Sequence, residues 1–302
     1  MYKERLPDDS HYRFTTAEIF KNKAFLFYGF TEKSYSKDMH LQEFYEINII
    51  LSGEGMHYVG DRRVAVSRGD VFIIPPELRH GYTGSDGFDV YHLVINPAFF
   101  EKFSSDLMTL PAFSVMFHAE PAMREKYSSD LHLKLSDQES DELLPLLSDI
   151  AGNSYKRDPE NTVIGMSRVM ILIATLCTKF DAAMKLREKA PDTGDDAFMR
   201  SIALIYERYA EKLTVGELCE TARMSRSAYL RRFRELTGTS PGEYILVHRL
   251  DIAAKMLANT SLSVNAIAEE CGFYDAPHLI RTFTKRFNKS PMEYRKGVPG
   301  GH

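Results

Sequence analysis

The sequence predicts an α+β protein: a β-barrel in front, a helical connector, and an all-α module of two helix–turn–helix units at the end. Three observations carry this. Between residues 14 and 100, short β-rich runs are cut by Gly, Asp and Pro, the pattern of a sandwich or barrel. Between residues 136 and 190, apolar residues recur at helical spacing. Beyond residue 197, one pattern of apolar and basic residues is written twice.

A chain of 302 residues, 44% apolar and 26% charged, has the make-up of a globular protein of two ordinary domains. It contains no run of 18 apolar residues, and "MYKERLPDDSHYRF" holds no apolar signal core. The expectation is a cytoplasmic protein with no membrane partner. Cys177, Cys219 and Cys271 lie far apart within apolar helical patterns. They read as buried thiols, not as a disulfide frame or a zinc site.

The net charge of −4 is unevenly spread. Residues 197–296 hold 16 Lys and Arg against 11 Asp and Glu, a net of +5, which leaves −9 for the remainder. A basic module joined to an acidic one points to a polyanion at one end only.

The repeat sets "LTVGELCETARMSRSAYLRRFRELTG" over "LSVNAIAEECGFYDAPHLIRTFTKRFN". Leu213, Val215, Leu218 and Ala222 fall where Leu262, Val264, Ile267 and Cys271 do, one helical stripe in each unit. Ser225 and Asp275 then read as N-caps of a second helix. That helix carries Tyr229 and Phe233 in the first unit, Leu279 and Phe283 in the second, with basic residues on its other side. The second unit has one extra residue in its turn. This is the pattern of a helix–turn–helix whose outer helix enters a DNA major groove. Between the units, "SPGEYILVHRLDIAAKMLANT" reads as one long helix. Its Tyr244, Ile245, Leu250, Ile252, Ala253, Met256 and Leu257 are placed to pack on both. Such a rigid connector would hold the two outer helices roughly 34 Å apart on one face of a duplex.

Residues 198–294, through "IAEECGFYDAPHLIRTFTKRFNKSPMEYR", "RRFRELTGTSPGEY" and "HRLDIAAKML", resemble the DNA-binding domain of the AraC/XylS family of bacterial transcriptional regulators. Asn288 stands where that family usually has Gly, a residue that also tolerates a left-handed turn. The resemblance implies that base edges of double-stranded promoter DNA are met by Ser227, Leu230 and Arg231 in the first unit. Ala276, Pro277, Ile280 and Arg281 match them in the second. An arginine can grip guanine O6 and N7 in bidentate fashion, worth about 1–3 kcal/mol of discrimination. Arg226, Arg232, Arg234, Lys285, Arg286 and Lys289 read as phosphate contacts.

The front half resembles the cupin barrel that precedes this DNA-binding domain in many family members. His40, Gln42, Glu46 and Gly53 stand at the spacings of its first motif, with Gln42 in a histidine's place; Gly69, Pro75 and His80 match the second. Three readings of these polar residues stand side by side. They are hooks in an effector pocket, or satisfied barrel histidines, or a metal set of His40, Glu46 and His80. The effector pocket is the reading adopted, with no cofactor and no metal. Tyr82 and His92 match effector-facing positions of sugar-responsive members, so His40, Glu46, His80, Tyr82 and His92 form the candidate site. Tyr and His offer a stacking face and a hydrogen-bonding tip, which suits a sugar.

In the connector, "SDQESDELLPLLSDIAGNSY" opens on capping signals and carries Leu143, Leu144, Leu147 and Ile150 as a stripe. A long helix follows from residue 160 to about 190. Either these helices form a homodimer seam or they cover the barrel. Residues 99–116 hold helix-like patches and a Pro and are left unplaced. The expected domains are an effector domain over 1–118, a helical connector and dimerisation region over 119–187, a linker over 188–196 and a DNA-binding domain over 197–302. The expectation is a sequence-specific activator that answers to a sugar-like molecule and contacts RNA polymerase. The alternative is a metal-dependent cupin enzyme with a helical appendage.

Overall fold

A computed structural model describes residues 12–20, 26–107, 109–110, 112–127, 131–154, 159–187 and 194–297. Most of the expected linker, 188–193, and the first eleven residues lie outside the described part. The chain divides into two compact units, residues 1–103 with 110–189 and residues 104–109 with 190–302.

The first unit opens with β1 (Tyr12–Phe14), α1 (Thr16–Ile19), β2 (Phe27–Glu32), β3 (Lys37–Gln42), β4 (Tyr45–Ser52) and β5 (Glu54–Val59). It continues with β6 (Arg62–Ser67), β7 (Asp70–Ile74), β8 (His80–Gly84) and β9 (Asp89–Ile95). Two five-stranded sheets result, ordered β1-β3-β8-β5-β6 and β10-β7-β4-β9-β2. Here β10 is Leu133–Lys134. Alternation along the strands sends one set of side chains between the sheets. At the β6–β7 turn Gly69 has φ +91°, and a Cβ there would strike the carbonyl of Leu135, so only glycine fits. After β7, Glu77 takes a left-handed φ of 67°. Its N–H donates to the Gln42 carbonyl at 2.9 Å, and its carboxylate pairs with Arg13.

Residues 99–116, unplaced from sequence, are largely helical: α2 (Pro97–Leu107) is followed by a π-helical turn, Val115–Ala119, that leads into α3 (Glu120–Tyr127). Aromatic rings bind the segment together; Phe113 and Phe117 stack at 4.6 Å and Phe100 lies against Tyr45 at 4.4 Å. Helix α4 (Asp137–Asn153) starts on a capping box between Ser136 and Glu139, and α5 spans Pro159–Arg187. Leu143, Leu147 and Ile150 are buried as expected, but Leu144 is 42% exposed. Leu144 sits one position off the i, i+4, i+7 row of the other three, which turns it to the flank of that row. In α5, Val169, Leu172, Ile173, Leu176 and Phe180 are buried, whereas Val163 and Ile171 are 58% and 55% exposed. By length and composition α5 could cross a membrane, yet 39% of that window is buried within the protein. Its buried stripe is that of an amphipathic core helix.

The second unit is α6 (Asp195–Glu207), α7 (Val215–Thr221), α8 (Arg226–Thr237), α9 (Pro241–Asn259), α10 (Val264–Glu270), α11 (Ala276–Phe287) and α12 (Pro291–Lys296). The two outer helices, α8 and α11, are capped by Ser225 and Asp275, whose side chains accept from the Ala228 and His278 amides. Each ends on a left-handed residue, Gly238 in the first and Asn288 in the second. The long α9 serves two cores. Near its start Tyr244 meets Phe233 at 5.4 Å, in a cluster with Tyr229 and Phe198. Further on, Leu250, Ala253 and Leu257 pack with Ile267, Cys271, Leu279 and Phe283. Leu262 is 40% exposed, so the second unit's stripe begins at Val264, the first residue of α10. The three cysteines are free and buried.

Candidate functional site

Strand register aligns polar residues in rows across both inner faces of the barrel. On the first sheet His40 lies opposite His80, and Tyr82 opposite His57. On the second, Glu46 lies opposite Val94 and Ile74, while His92 lies opposite Phe30 and Asn48. The rows touch across the core. His80 Nε2 lies 3.5 Å from Glu46 Oε2, and Asn48 Nδ2 donates to the Tyr82 hydroxyl at 3.3 Å. His92 Nδ1 donates to Glu46 Oε1 at 2.7 Å and its ring stacks on Phe30. All five candidate residues, His40, Glu46, His80, Tyr82 and His92, therefore come together, each under 9% exposed.

Backbone carbonyls orient two of the imidazoles. His40 Nδ1 bonds the Asp38 carbonyl at 2.8 Å and His80 Nδ1 the Leu78 carbonyl at 3.2 Å. Gln42 is turned aside, donating to the Phe44 carbonyl at 3.3 Å. Burial pushes the Glu46 carboxyl up, but hydrogen bonds and charge from His80 and His92 outweigh it and hold it below the usual carboxylate range. Burial, together with the nearby His80, lowers His40 to about 4. Burial also drives His57 well below the ordinary histidine value, with Arg124 adding to the effect.

Sequence reasoning missed two members of this cluster. Asn48 follows Glu46 at the strand repeat of two, and His57 alternates with half-buried neighbours in "GMHYV", so both signals were present. His57 stacks on Tyr82 with ring centroids 4.3 Å apart and planes within 3°. The metal set fares differently. Among the described residues no group of three His, Cys, Asp or Glu is disposed to hold an ion. His40, Glu46 and His80 share a neighbourhood.

In the second unit the buried faces of α8 and α11 are Tyr229, Phe233 and Leu236, and Leu279 and Phe283. Arg226, Ser227, Arg231 and Arg234 are exposed on α8, with Leu230 half-buried. On α11, Pro277, Ile280, Arg281 and Lys285 are exposed and Ala276 is half-buried. Two of the arginines expected at phosphates also have partners within the protein. Arg232 pairs with Asp195 and lies over the Phe198 ring; Arg286 binds Asp251 at 2.9 Å. Both hold helices together. Tyr274, the turn residue before Asp275, is 93% exposed and went unnoticed in the sequence.

Two family models match the chain: an AraC-like ligand binding domain over residues 24–160 and a helix-turn-helix domain over residues 218–297. The chain belongs to the AraC/XylS family of transcriptional regulators. As an AraC/XylS regulator it is a DNA-binding protein with a ligand-binding type of domain ahead of its helix–turn–helix pair. It is 25% identical over 258 residues to the HTH-type transcriptional activator RhaR of Mannheimia succiniciproducens, covering 85% of this chain and 86% of that one. The RhaR of an Enterobacter species is 23% identical, with the same coverage. Among solved structures, the DNA-binding domain of AdpA in complex with a target DNA is 32% identical, with a TM-score of 0.32, covering 33% of this chain and 90% of that one.

Proposed function

We propose that this regulator is a transcriptional activator whose barrel binds a sugar or sugar derivative and whose two outer helices read promoter DNA. The observation that carries the effector reading is the buried polar band between the sheets. A barrel core with no ligand would be filled by apolar side chains, because buried polar groups are costly unless paired. Here a carboxylate, four imidazoles, an amide and a phenol occupy it. Tyr82 and His57 supply stacked rings beside those hydrogen-bonding groups, the make-up of a sugar site.

Ser227, Leu230, Arg231, Ala276, Pro277, Ile280 and Arg281 are assigned to base edges, with Arg226, Arg234, Lys285 and Lys289 at phosphates. Activation implies a contact with RNA polymerase, and the curated relatives are named as activators. A homodimer is supported by the apolar residues left bare on the connector helices, Leu144, Val163, Ile164 and Ile171. The regulator works in the cytoplasm, where its DNA is. Catalysis forms no part of the reading: the curated relatives are named as transcriptional activators.

The test uses mobility shifts of promoter DNA with the full chain across a panel of monosaccharides. One of them should change DNA affinity, and Tyr82→Phe should weaken that response while leaving ligand-free affinity intact. A sugar response that survives Tyr82→Phe unchanged contradicts the assignment of the pocket.

A further inference from the structure

The two helix–turn–helix units differ by one residue, and the backbone shows which one. In the first, the Ala222, Arg223 and Met224 amides donate to the Leu218, Glu220 and Cys219 carbonyls, and Ser225 caps α8 directly afterwards. In the second, the Cys271, Gly272 and Phe273 amides make the same three bonds, to Ile267, Glu269 and Ala268. Arg223 and Gly272 both take a left-handed φ, 52° and 71°. The cap of α11, however, is Asp275, so Tyr274 is the residue added to the turn. At 93% exposed it packs into neither core.

The leading ends of the two outer helices differ as well. Helix α8 begins with Arg226 and Ser227, both exposed. They present a guanidinium, a hydroxyl and two of the N–H groups that a helix start leaves unpaired. Helix α11 begins with Ala276 and Pro277. Neither side chain carries a hydrogen-bonding atom, and Pro277 has no backbone N–H. The next amide, that of His278, is taken by the Asp275 carboxylate at 2.6 Å, and the His278 ring stands edge-on to Phe273 at 5.5 Å. The start of α11 is therefore poor in donors where the start of α8 is rich, and the added tyrosine brings a hydroxyl to that place.

A recognition helix enters the major groove by its N-terminal residues, so the turn just before it lies at the rim of the groove, beside the phosphates. A hydroxyl donating to an ionised oxygen there makes a stronger bond than one between neutral groups.

We propose that Tyr274 is a positioning residue for DNA: its hydroxyl donates to a backbone phosphate at the rim of the groove entered by α11, the anchor that Arg226 provides at α8. The inference rests on the reading of the outer helices as DNA readers and adds a contact that only the second unit can make. Such a bond fixes how α11 lies in the groove and carries no base preference. Because the phenol is uncharged, the bond neutralises no phosphate and leaves the salt dependence of binding as it was.

The experiment measures mobility shifts with the full chain, on the duplex recovered by selection from random DNA. Tyr274→Phe removes one oxygen. It should weaken binding about tenfold, equally on the selected duplex and on duplexes carrying single base changes, with the slope against salt and the Tm unchanged. Arg226→Ala should instead make the salt slope shallower by about 0.9. Ethylation interference locates the contact. One phosphate whose ethylation blocks the parent should become indifferent in Tyr274→Phe, and it should flank the block in which Arg281→Ala erases base preference. Parent-like affinity in Tyr274→Phe overturns the proposal; if Arg281→Ala still loses its column, the reading of the outer helices stands. A loss confined to one base column makes Tyr274 a base reader and also overturns it. So does a loss in Tyr274→Ala that is absent in Tyr274→Phe, which assigns the contact to the ring. Failure of the parent chain to select any sequence sinks the DNA-reading account itself.

Discussion

Arg249 Nη1 donates to the carbonyl of Gly272 at 2.6 Å, fastening the linking helix to the turn of the second helix–turn–helix unit. The same guanidinium reaches the Tyr209 carbonyl through Nε at 2.6 Å and the Glu211 carbonyl through Nη2 at 2.7 Å, in the loop that leads into the first unit. Gly272 itself has φ +71°, and a Cβ there would fall on the carbonyl of Ala210. One arginine and one glycine therefore lock the two units to each other through the 209–211 loop.

Arg249→Lys should leave two of these three carbonyls without a donor. A loss of about 1–3 kcal/mol in the stability of the DNA-binding unit is expected, read by urea unfolding. Gly272→Ala should cost at least as much, because it adds a backbone clash to a left-handed strain. Both variants should also weaken binding to a two-site DNA more than to a single half-site. Equal stability in Arg249→Lys would show that the clamp is idle.

Arg231→Ala and Arg232→Ala should separate, though the residues are neighbours. Arg232, paired with Asp195 and stacked on Phe198, should lose about 1–2 kcal/mol of stability on truncation. The Arg231 side chain is 76% exposed and should change unfolding by less than about 0.5 kcal/mol. Denaturant titration of the two variants distinguishes them. If both melt like the parent, Arg232 is a surface residue and its ion pair contributes nothing.

This contrast shows what the sequence could and could not tell. The repeat placed α8 and α11, their caps at Ser225 and Asp275 and their buried rings, because local spacing and capping decide those features. The charge count could not separate arginines that face outward from those that tie the protein together. Arg232, Arg249, Arg286 and Arg295 all contributed to the +5, yet each is engaged by a carboxylate or a backbone carbonyl. Their partners lie 23 to 40 residues away in sequence. In the barrel, alternation put His80, Tyr82 and His92 inside. That His57 is the ring stacked on Tyr82 depends on the pairing of β5 with β8, which no single strand encodes. The helix-like patches over residues 99–116 could not be placed, and the π-helical turn at Val115–Ala119, where the 3.6-residue period fails, lies at the end of that segment.

Acid should destabilise the barrel. His40 is lowered to about 4, so between that value and the ordinary 6.5 the unfolded chain binds a proton that the folded one refuses. Stability contributed there is present at neutral pH and lost as pH falls through that window. His57 acts in the same direction, and Glu46, also held low, adds its loss below the usual carboxylate range. The His40 shift alone corresponds to about 3 kcal/mol. Thermal melts from pH 7 to pH 4 should show the decline, and His40→Gln should make it shallower by that amount. A flat profile in the parent protein would contradict the neutral buried imidazoles.

Ile171→Glu, on the bare side of α5, should convert the full chain from dimer to monomer at micromolar concentration by sedimentation, with the melting curve unchanged. Removal of residues 1–188 should likewise leave a folded monomer that binds DNA more weakly. A parent protein that sediments as a monomer would remove the connector helices as a seam.

The central claim is that two outer helices of one chain each read their own set of bases. Selection of binding sites from random DNA by the full chain tests it most directly, repeated with Arg231→Ala and Arg281→Ala. The account predicts two conserved blocks about one helical turn, or roughly 34 Å, apart. Each variant should erase preference at one column of one block, at a cost of about 1–3 kcal/mol there. A single block in the parent, or a uniform drop across all sequences in both variants, would contradict it and make these arginines phosphate contacts.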